Sequence, residues 1–135
     1  LGALELAKAN SFEPLELSPL APLGNCSAIG LADQNKIVSA SRGTEVVADA
    51  TNLMALESAV RRKSKKFDDT VVNLCCVHRH VRAQALPPIK GFTAHFKIFT
   101  ALTAGRDTGS LEFEKAALLK HLSFCGFHKV KHWNL

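Results

Sequence analysis

The sequence has no long apolar run, little cysteine and none of the common short catalytic motifs. No apolar stretch approaches the roughly 20 residues that a membrane-spanning helix needs. Residues 1–10 do not follow the pattern of a signal peptide, because Glu5 and Lys8 lie within their apolar stretch. We therefore expect no membrane partner.

The four cysteines do not form the pattern of a disulfide scaffold. Cys75 and Cys76 are adjacent in a predicted strand, so their side chains should point to opposite faces of a sheet. We expect these two, with Cys26 and Cys125, to be small buried hydrophobic residues in a reducing compartment. This usage favours a cytoplasmic protein.

Motifs for covalent catalysis and for structural metals are also missing. The sequence has no CxxC or HExxH pattern, and the glycines of Gly105–Gly109 match neither a P-loop nor a dinucleotide-binding turn. His121, Cys125, His128 and His132 do have ligand types at metal-like spacing. The simpler interpretation is that Cys125 extends the apolar face of a helix, and we predict no metal ligands.

The composition is that of a globular domain with a hydrophobic core. The chain has 135 residues, of which 47% are hydrophobic and 21% charged. Because it begins with Leu1 rather than Met, we expect one domain over residues 1–135 that is part of a larger protein or a truncated core. The net charge of +5 is concentrated in part at Arg61–Lys66, where the cations either contact nucleic acid or suit the C-terminal end of a helix.

Strand-like segments outnumber helices in the middle of the chain and follow one another as hairpins. This order predicts an α+β fold with a mainly antiparallel sheet and helices against one face. Asp49 or Thr51 can cap the central helix, and Ser110 can cap the last one. The predicted helices are Leu1–Ala9, Asn52–Lys66 and Glu112–Phe124, and the predicted strands are Phe12–Leu17, Cys26–Leu31, Lys36–Ala40, Thr44–Ala48, Val71–Val77 and Phe96–Leu102.

The hairpin around His78–Phe99 carries the most functional information, because it brings two arginines and three histidines to its open end. Arginine presents a planar fork of donors that suits phosphate or carboxylate. Arg79 and Arg82 have opposite parity on a strand, so both can serve one ligand only if a bulge intervenes. The pattern predicts an anion site on a sheet, and a nucleotide is one candidate ligand.

Three segments resemble, in the same order, the catalytic core of class II aminoacyl-tRNA synthetases, most closely the histidyl branch. Phe12–Pro19 is similar to motif 1, and Val46–Thr51 is similar to the segment that lines the amino-acid pocket. The two strands of motif 2 are represented by Arg82-x-Gln84 and His95-x-x-x-Phe99. The chain departs from the family pattern where Gln84 replaces a glutamate, Ile98 an acid and Val47 an arginine.

The resemblance implies specific roles for several residues. Arg82 would be the catalytic residue that binds the α-phosphate and the substrate carboxylate, with Gln84 beside it. Phe99 would stack on adenine, and His95 would approach the terminal phosphates. The ammonium group of the substrate would be held by Glu45 or Asp49, with Thr51 in the same pocket. Three of these residues could instead have a purely structural role. Arg82 could be a strand-end residue in an ion pair, Phe99 a core residue and Asp49 a helix cap.

The resemblance also implies ATP and Mg²⁺ as cofactors, and a homodimer with Leu1–Pro19 near its interface. The expected function is adenylation of an amino acid or a related carboxylate. The alternative is a non-catalytic paralogue that keeps the fold and binds a ligand, RNA or a protein partner. A basic RNA-binding module unrelated to synthetases is a third interpretation.

Overall fold

The computed structural model describes residues 2–30, 33–64 and 70–126. Three helices and five strands make up this part of the chain. In order they are α1 (Ala3–Ala9), β1 (Glu13–Pro14), β2 (Leu20–Pro22), β3 (Thr44–Val46), α2 (Ala50–Ser64), β4 (Val72–Val81), β5 (His95–Ala104) and α3 (Glu112–Phe124).

The main sheet is built on the β4–β5 hairpin, as the two β-branched and aromatic runs predict. Its antiparallel register is unbroken from the pair Val72 and Ala104 to the pair Val81 and His95. β1 lies on the other side of β4 and pairs with it in parallel, while β2 and β3 form a separate antiparallel pair. The α+β prediction is confirmed.

The alternation of side chains along β4 divides the core into two layers. On one face Leu74 and Cys76 pack against Ala50 and Met54 of α2. On the other face Cys75 packs against Ala7 and Phe12, together with half-buried residues that include Phe99 and Phe124. The adjacent cysteines do point to opposite faces, as predicted. Cys26, Cys75 and Cys76 are buried, but Cys125 is exposed, and all four are free thiols.

The helices lie on both faces of the sheet, so the expectation that they cover one face is wrong. α2 crosses β4 and β5 on one side, whereas α1 and the end of α3 approach the other side. Hydrophobic residues of both parities in β4 require cover on both faces, which explains the arrangement. None of the helices in the described part of the chain is long and apolar enough to cross a membrane.

The face that α2 buries also differs from the predicted one. We expect Leu53, Leu56, Ala59 and Val60 on the inner face, but the buried residues are Ala50, Met54 and Ser58. The side chains of Leu56 and Val60 are 45% and 62% exposed. Small residues at positions 50 and 58 let the helix approach the sheet closely.

Four predicted strands are shorter or absent, and of these Thr44–Ala48 keeps only Thr44–Val46. Phe12–Leu17 contributes only Glu13–Pro14, residues 26–30 form turns, and Gln34–Lys36 is a 3₁₀ turn followed by an isolated bridge from Ser39 to Glu45. The predicted strand end at residue 31 lies outside the described residues. Around residue 26, backbone N–H groups donate to the side chain of Glu45 instead of to a neighbouring strand.

α3 has the predicted bounds, whereas α1 begins at Ala3 and α2 at Ala50, two residues away from their predicted starts. One of the predicted caps is wrong. Asp49 caps α2, since its Oδ1 atom accepts from the N–H of Thr51 at 2.8 Å. α3 begins at Glu112 after Leu111, which takes a left-handed conformation with φ of 58° and makes no side-chain cap. Ser110 is therefore not the cap. Lys65, Lys66, His128 and His132 lie outside the described residues.

Candidate anion-binding site

Arg82 lies directly after β4, and the fold holds one edge of its guanidinium in place. Its Nε atom donates to the carbonyl oxygen of Ala48 at 3.1 Å, and its backbone N–H donates to Ala94 O at 2.9 Å. The guanidinium carbon lies 5.4 Å from the centre of the Phe96 ring. In the described part of the chain the two terminal nitrogens have no hydrogen-bond partner, so they can bind an anion.

The segment before α2 is fastened to the end of β4, which places Arg82 beside the start of that helix. Val81 N donates to Val47 O at 3.3 Å, and Ala83 N donates to Lys36 O at 2.8 Å. Val47 and Ala48 are fully buried, so this segment has little freedom to move away. The site therefore combines residues that are more than 30 positions apart in sequence.

The N-terminal end of α2 brings a carboxylate and a helix dipole to the same place. Asp49 is half-buried, and only its Oδ1 atom is used in the cap to Thr51 N. The second oxygen makes no hydrogen bond to a described residue. Thr51 is exposed at the first turn of the helix. The interpretation of Asp49 as a helix cap is confirmed, and its role toward a substrate stays a prediction.

His80 is a central residue of this site that the sequence reasoning did not single out. Its ring is 2% exposed, and its Nε2 atom accepts from the N–H of Ala50 at 3.0 Å. The ring centres of Phe96 and His78 lie 5.8 and 5.6 Å away. Residues 80 and 82 are two positions apart, so their side chains point to the same face of the hairpin. This spacing could have indicated His80 from the sequence.

Both buried histidines favour the neutral form. Burial lowers the pKa of His80 most, with a further lowering from His78 and Arg82 and an opposing effect of Asp49. Burial alone lowers the pKa of His78. His78 Nε2 and His80 Nδ1 make no hydrogen bond to any described residue. A neutral His80 is the form that can accept from Ala50.

Phe99 and His95 lie on the other face of the hairpin, so they do not share a site with Arg82. Phe99 packs on Phe124 with ring centres 5.3 Å apart. The Nδ1 atom of His95 is 2.7 Å from Nη1 of Arg79. The expectation that Arg82 and Phe99 point into one concave site is wrong, because the unbroken register places Phe96, not Phe99, on the face of Arg82.

The same register separates the two arginines, since no bulge interrupts β4 and β5. Gln84 is exposed two residues beyond Arg82 and outside the strand. Among the described residues, Arg82 is therefore the only predicted nucleotide-binding residue whose side chain makes contacts at this face. The aromatic ring next to it is that of Phe96.

Glu45 is fully buried and faces the loop at Gly24–Ser27 instead of Arg82. Its carboxylate accepts from Ser27 Oγ at 2.7 Å, from Gly24 N at 3.2 Å and from Ser27 N at 3.3 Å, and also from Cys26 N. Burial by itself would raise the pKa of Glu45, but these hydrogen bonds outweigh it and hold the pKa below its usual range. The carboxylate thus organises this loop, and its oxygens are occupied.

The described residues do not form a metal site of their own. No group of three or more His, Cys, Asp or Glu side chains within residues 2–30, 33–64 and 70–126 could hold a metal ion. Magnesium usually keeps several waters and is bound through one or two carboxylates together with substrate phosphates.

Comparisons with known proteins identify the fold. Neither the comparison with protein-family models nor that with curated proteins gives a match. Among solved structures, the chain is similar to a protein of Bacillus halodurans C described as an ATP phosphoribosyltransferase regulatory subunit/histidyl-tRNA synthetase. The TM-score is 0.63 at 18% sequence identity, over 92% of this chain and 32% of that one.

Pyrrolysyl-tRNA synthetase from Desulfitobacterium hafniense is similar as well. Two of its structures, one of them of PylSc, give TM-scores of 0.64 and 0.63 at 6% identity, over 92% of this chain and 43% and 44% of theirs. The chain thus spans about a third to under a half of the length of these proteins. It has the α+β fold of a class II aminoacyl-tRNA synthetase core, as the order of its motifs predicts.

Proposed function

We propose that this domain binds ATP and an amino acid or a related carboxylate at Arg82, and that it belongs to an adenylating enzyme. The observation that carries the proposal is the position of Arg82. Its Nε atom donates to the carbonyl oxygen of Ala48, the residue before Asp49, and its guanidinium lies over the ring of Phe96. Its two terminal nitrogens have no hydrogen-bond partner among the described residues. Cation, ring and carboxylate match the phosphate, adenine and ammonium groups of such ligands.

The chemistry requires a carboxylate oxygen to attack the α-phosphorus of ATP. The new P–O bond gives an acyl-adenylate, and the bond to the leaving pyrophosphate breaks. Arg82 would stabilise the charge that develops on the α-phosphate, and Asp49 would orient an amino-acid substrate through its ammonium group. Mg²⁺ enters the proposal only as the companion of the ATP phosphates.

The experiment compares Arg82→Ala with Arg106→Ala, an exposed arginine outside the site. ATP affinity is measured by calorimetry, and adenylation by pyrophosphate exchange with a panel of amino acids. We expect Arg82→Ala to weaken ATP binding by about 10- to 100-fold, since charge-assisted hydrogen bonds to the phosphate are lost. Unchanged ATP affinity in Arg82→Ala would contradict the assignment, and Arg106→Ala should behave as the wild type.

A non-catalytic RNA-binding paralogue is the second candidate, favoured by a different surface. Arg79 and Lys97 are directly opposite each other on the exposed face of the hairpin, and His95 contacts Arg79. Like charges in that position are unfavourable, and no described carboxylate forms an ion pair with either residue. Such a pair fits two phosphates. The replacements at Gln84, Ile98 and Val47 also favour loss of catalysis.

RNA binding is tested with a short RNA hairpin titrated at several salt concentrations. The double variant Arg79→Ala/Lys97→Ala should bind more weakly, with a salt slope reduced by about 2. The matched control Arg106→Ala/Lys115→Ala removes two cations elsewhere and should leave the slope unchanged. Equal slopes for both variants would exclude this surface.

The resemblance also supports a homodimer in a cytoplasmic setting, with Leu1–Pro19 near the interface. Leu4 and Leu6 on α1 expose 36% and 45% of their surface, and a dimer contact would cover them. Sedimentation of the intact protein at a series of concentrations tests this proposal, and a monomer throughout would contradict it.

A further inference from the structure

The Ala50–His80 hydrogen bond connects the candidate site to a titratable group. Ala50 provides the first backbone N–H group of α2, and such a group has no hydrogen-bond acceptor inside its own helix. Here it donates to Nε2 of His80 at 3.0 Å, across 30 positions of sequence. Because a ring nitrogen accepts only when it carries no proton, this contact exists only with a neutral imidazole.

The turn that His80 holds is the one that contacts Arg82. Ala48 O accepts from Arg82 Nε, Asp49 Oδ1 accepts from Thr51 N, and Ala50 N donates to His80. Three consecutive residues thus connect the arginine, the helix cap and the histidine. If Ala50 is released, the backbone that positions Arg82 and Asp49 loses one of its fixed points.

The surroundings of His80 mostly disfavour a charged ring. His78 lies next to it on the same face of β4, and Arg82 lies just beyond the end of that strand. Asp49 is in the segment before α2. β5 contributes the ring of Phe96, which does not titrate. Asp49 alone among these groups favours the cation, and the positive end of the α2 dipole opposes it.

We propose that neutral His80 is a positioning residue for the Arg82 site, and that protonation of His80 releases the first turn of α2 and weakens anion binding. This inference rests on the proposed function, because it concerns the regulation of the same site. In the acid form Nε2 becomes a donor that faces the donor of Ala50, so the bond breaks and both groups turn to water.

The direction of the pH dependence follows from the two states. The pKa of His80 is lower in the folded site than in a released, solvated ring, whose pKa is about 6.5. Protons therefore favour the released form, and the stabilisation of the ordered turn by this hydrogen bond starts to decrease as the pH falls below about 6.5. Above that pH the site is fully formed.

His80→Gln is the decisive variant, because the glutamine amide oxygen can accept from Ala50 N but does not titrate near neutral pH. In the ligand-free protein, hydrogen exchange of the Ala50 amide is followed by NMR from about pH 7.5 to about pH 5 and corrected for intrinsic exchange. We expect protection to fall at least about fivefold in the wild type. It should stay constant in His80→Gln. Constant protection in the wild type, or an equal fall in both proteins, would overturn the proposal.

ATP affinity is then measured over the same pH range for both proteins. Protonation of the ATP phosphates is common to both, so the ratio of their affinities reports on the protein. Between pH 7.5 and pH 5 the ATP affinity of the wild type should fall by at least about fivefold more than that of His80→Gln. His121→Gln, on the opposite face of the sheet, should keep the wild-type profile. If the ratio of the two affinities does not change with pH, the role of His80 is contradicted although ATP binding is retained. If neither protein binds ATP at any pH, the proposed function is contradicted, and the hydrogen-exchange measurement alone decides on His80.

Discussion

The guanidinium of Arg82 and the ring of Phe99 lie on opposite faces of the β4–β5 hairpin. The ring of Phe96 lies under the guanidinium of Arg82, whereas Phe99 packs on Phe124 at the end of α3. The two phenylalanines should therefore respond differently to truncation, one in ligand binding and the other in stability.

We expect Phe96→Ala to weaken ATP binding by about 10- to 100-fold, because a stacking platform for a base contributes roughly 1–3 kcal/mol. Phe99→Ala should leave ATP affinity unchanged and lower the free energy of unfolding by about 2 kcal/mol, since a half-buried ring is removed from the core. Calorimetry and urea denaturation measure the two effects. A larger loss of affinity in Phe99→Ala than in Phe96→Ala would restore the site expected from the resemblance.

Glu45 should stabilise the protein at neutral pH and lose this effect in acid. The folded state holds the pKa of Glu45 below its usual value, so the unfolded state binds more protons at low pH. The stabilisation is present above an unfolded pKa of about 4.3 and disappears as the pH falls below it.

Glu45→Gln should accordingly cost about 2 kcal/mol at pH 7, because the new amide group meets N–H donors of the loop at Gly24–Ser27. The cost should shrink at about pH 3. Urea denaturation at both pH values provides the measurement, with the exposed Glu114→Gln as the control. A cost that is independent of pH would show that the carboxylate charge is not what stabilises the loop.

Met54 and Leu56 test which face of α2 carries the packing energy. Met54 is fully buried against Leu74 and Cys76, whereas Leu56 is 45% exposed. Met54→Ala should lower the free energy of unfolding by about 2–4 kcal/mol, and Leu56→Ala by less than about 1 kcal/mol. Equal costs in thermal or urea unfolding would mean that the leucine face is covered in solution.

Leu111 holds a left-handed backbone conformation at the start of α3, with φ of 58°. A leucine there costs roughly 1–2 kcal/mol relative to glycine, which has no Cβ to collide with its own carbonyl. Leu111→Gly should raise the free energy of unfolding by about 1 kcal/mol, since this side chain is 59% exposed and contributes little packing. Leu111→Ala keeps the Cβ and should not show the gain, so a gain of equal size in both variants would assign it to the lost side chain.

Local pattern was sufficient for the elements that are long and regular. The hairpin followed from two β-branched runs, and the opposite faces of Cys75 and Cys76 followed from the period of a strand. The bounds of α3 and the cap at Asp49 were also predictable, because they depend on neighbours in sequence. The predictions of the short strands were wrong because the hydrogen bonds of these segments depend on residues that are distant in sequence.

The amino-acid sequence by itself determined an α+β class, a hairpin with an arginine at its end and the order of segments shared with class II synthetases. Tertiary structure alone decided which side chains meet. The register across the hairpin selected Phe96 over Phe99, and chain packing brought His80 to Ala50 and Glu45 to Cys26. Periodicity records only which residues share a face of one element, whereas a site is made where different elements come into contact.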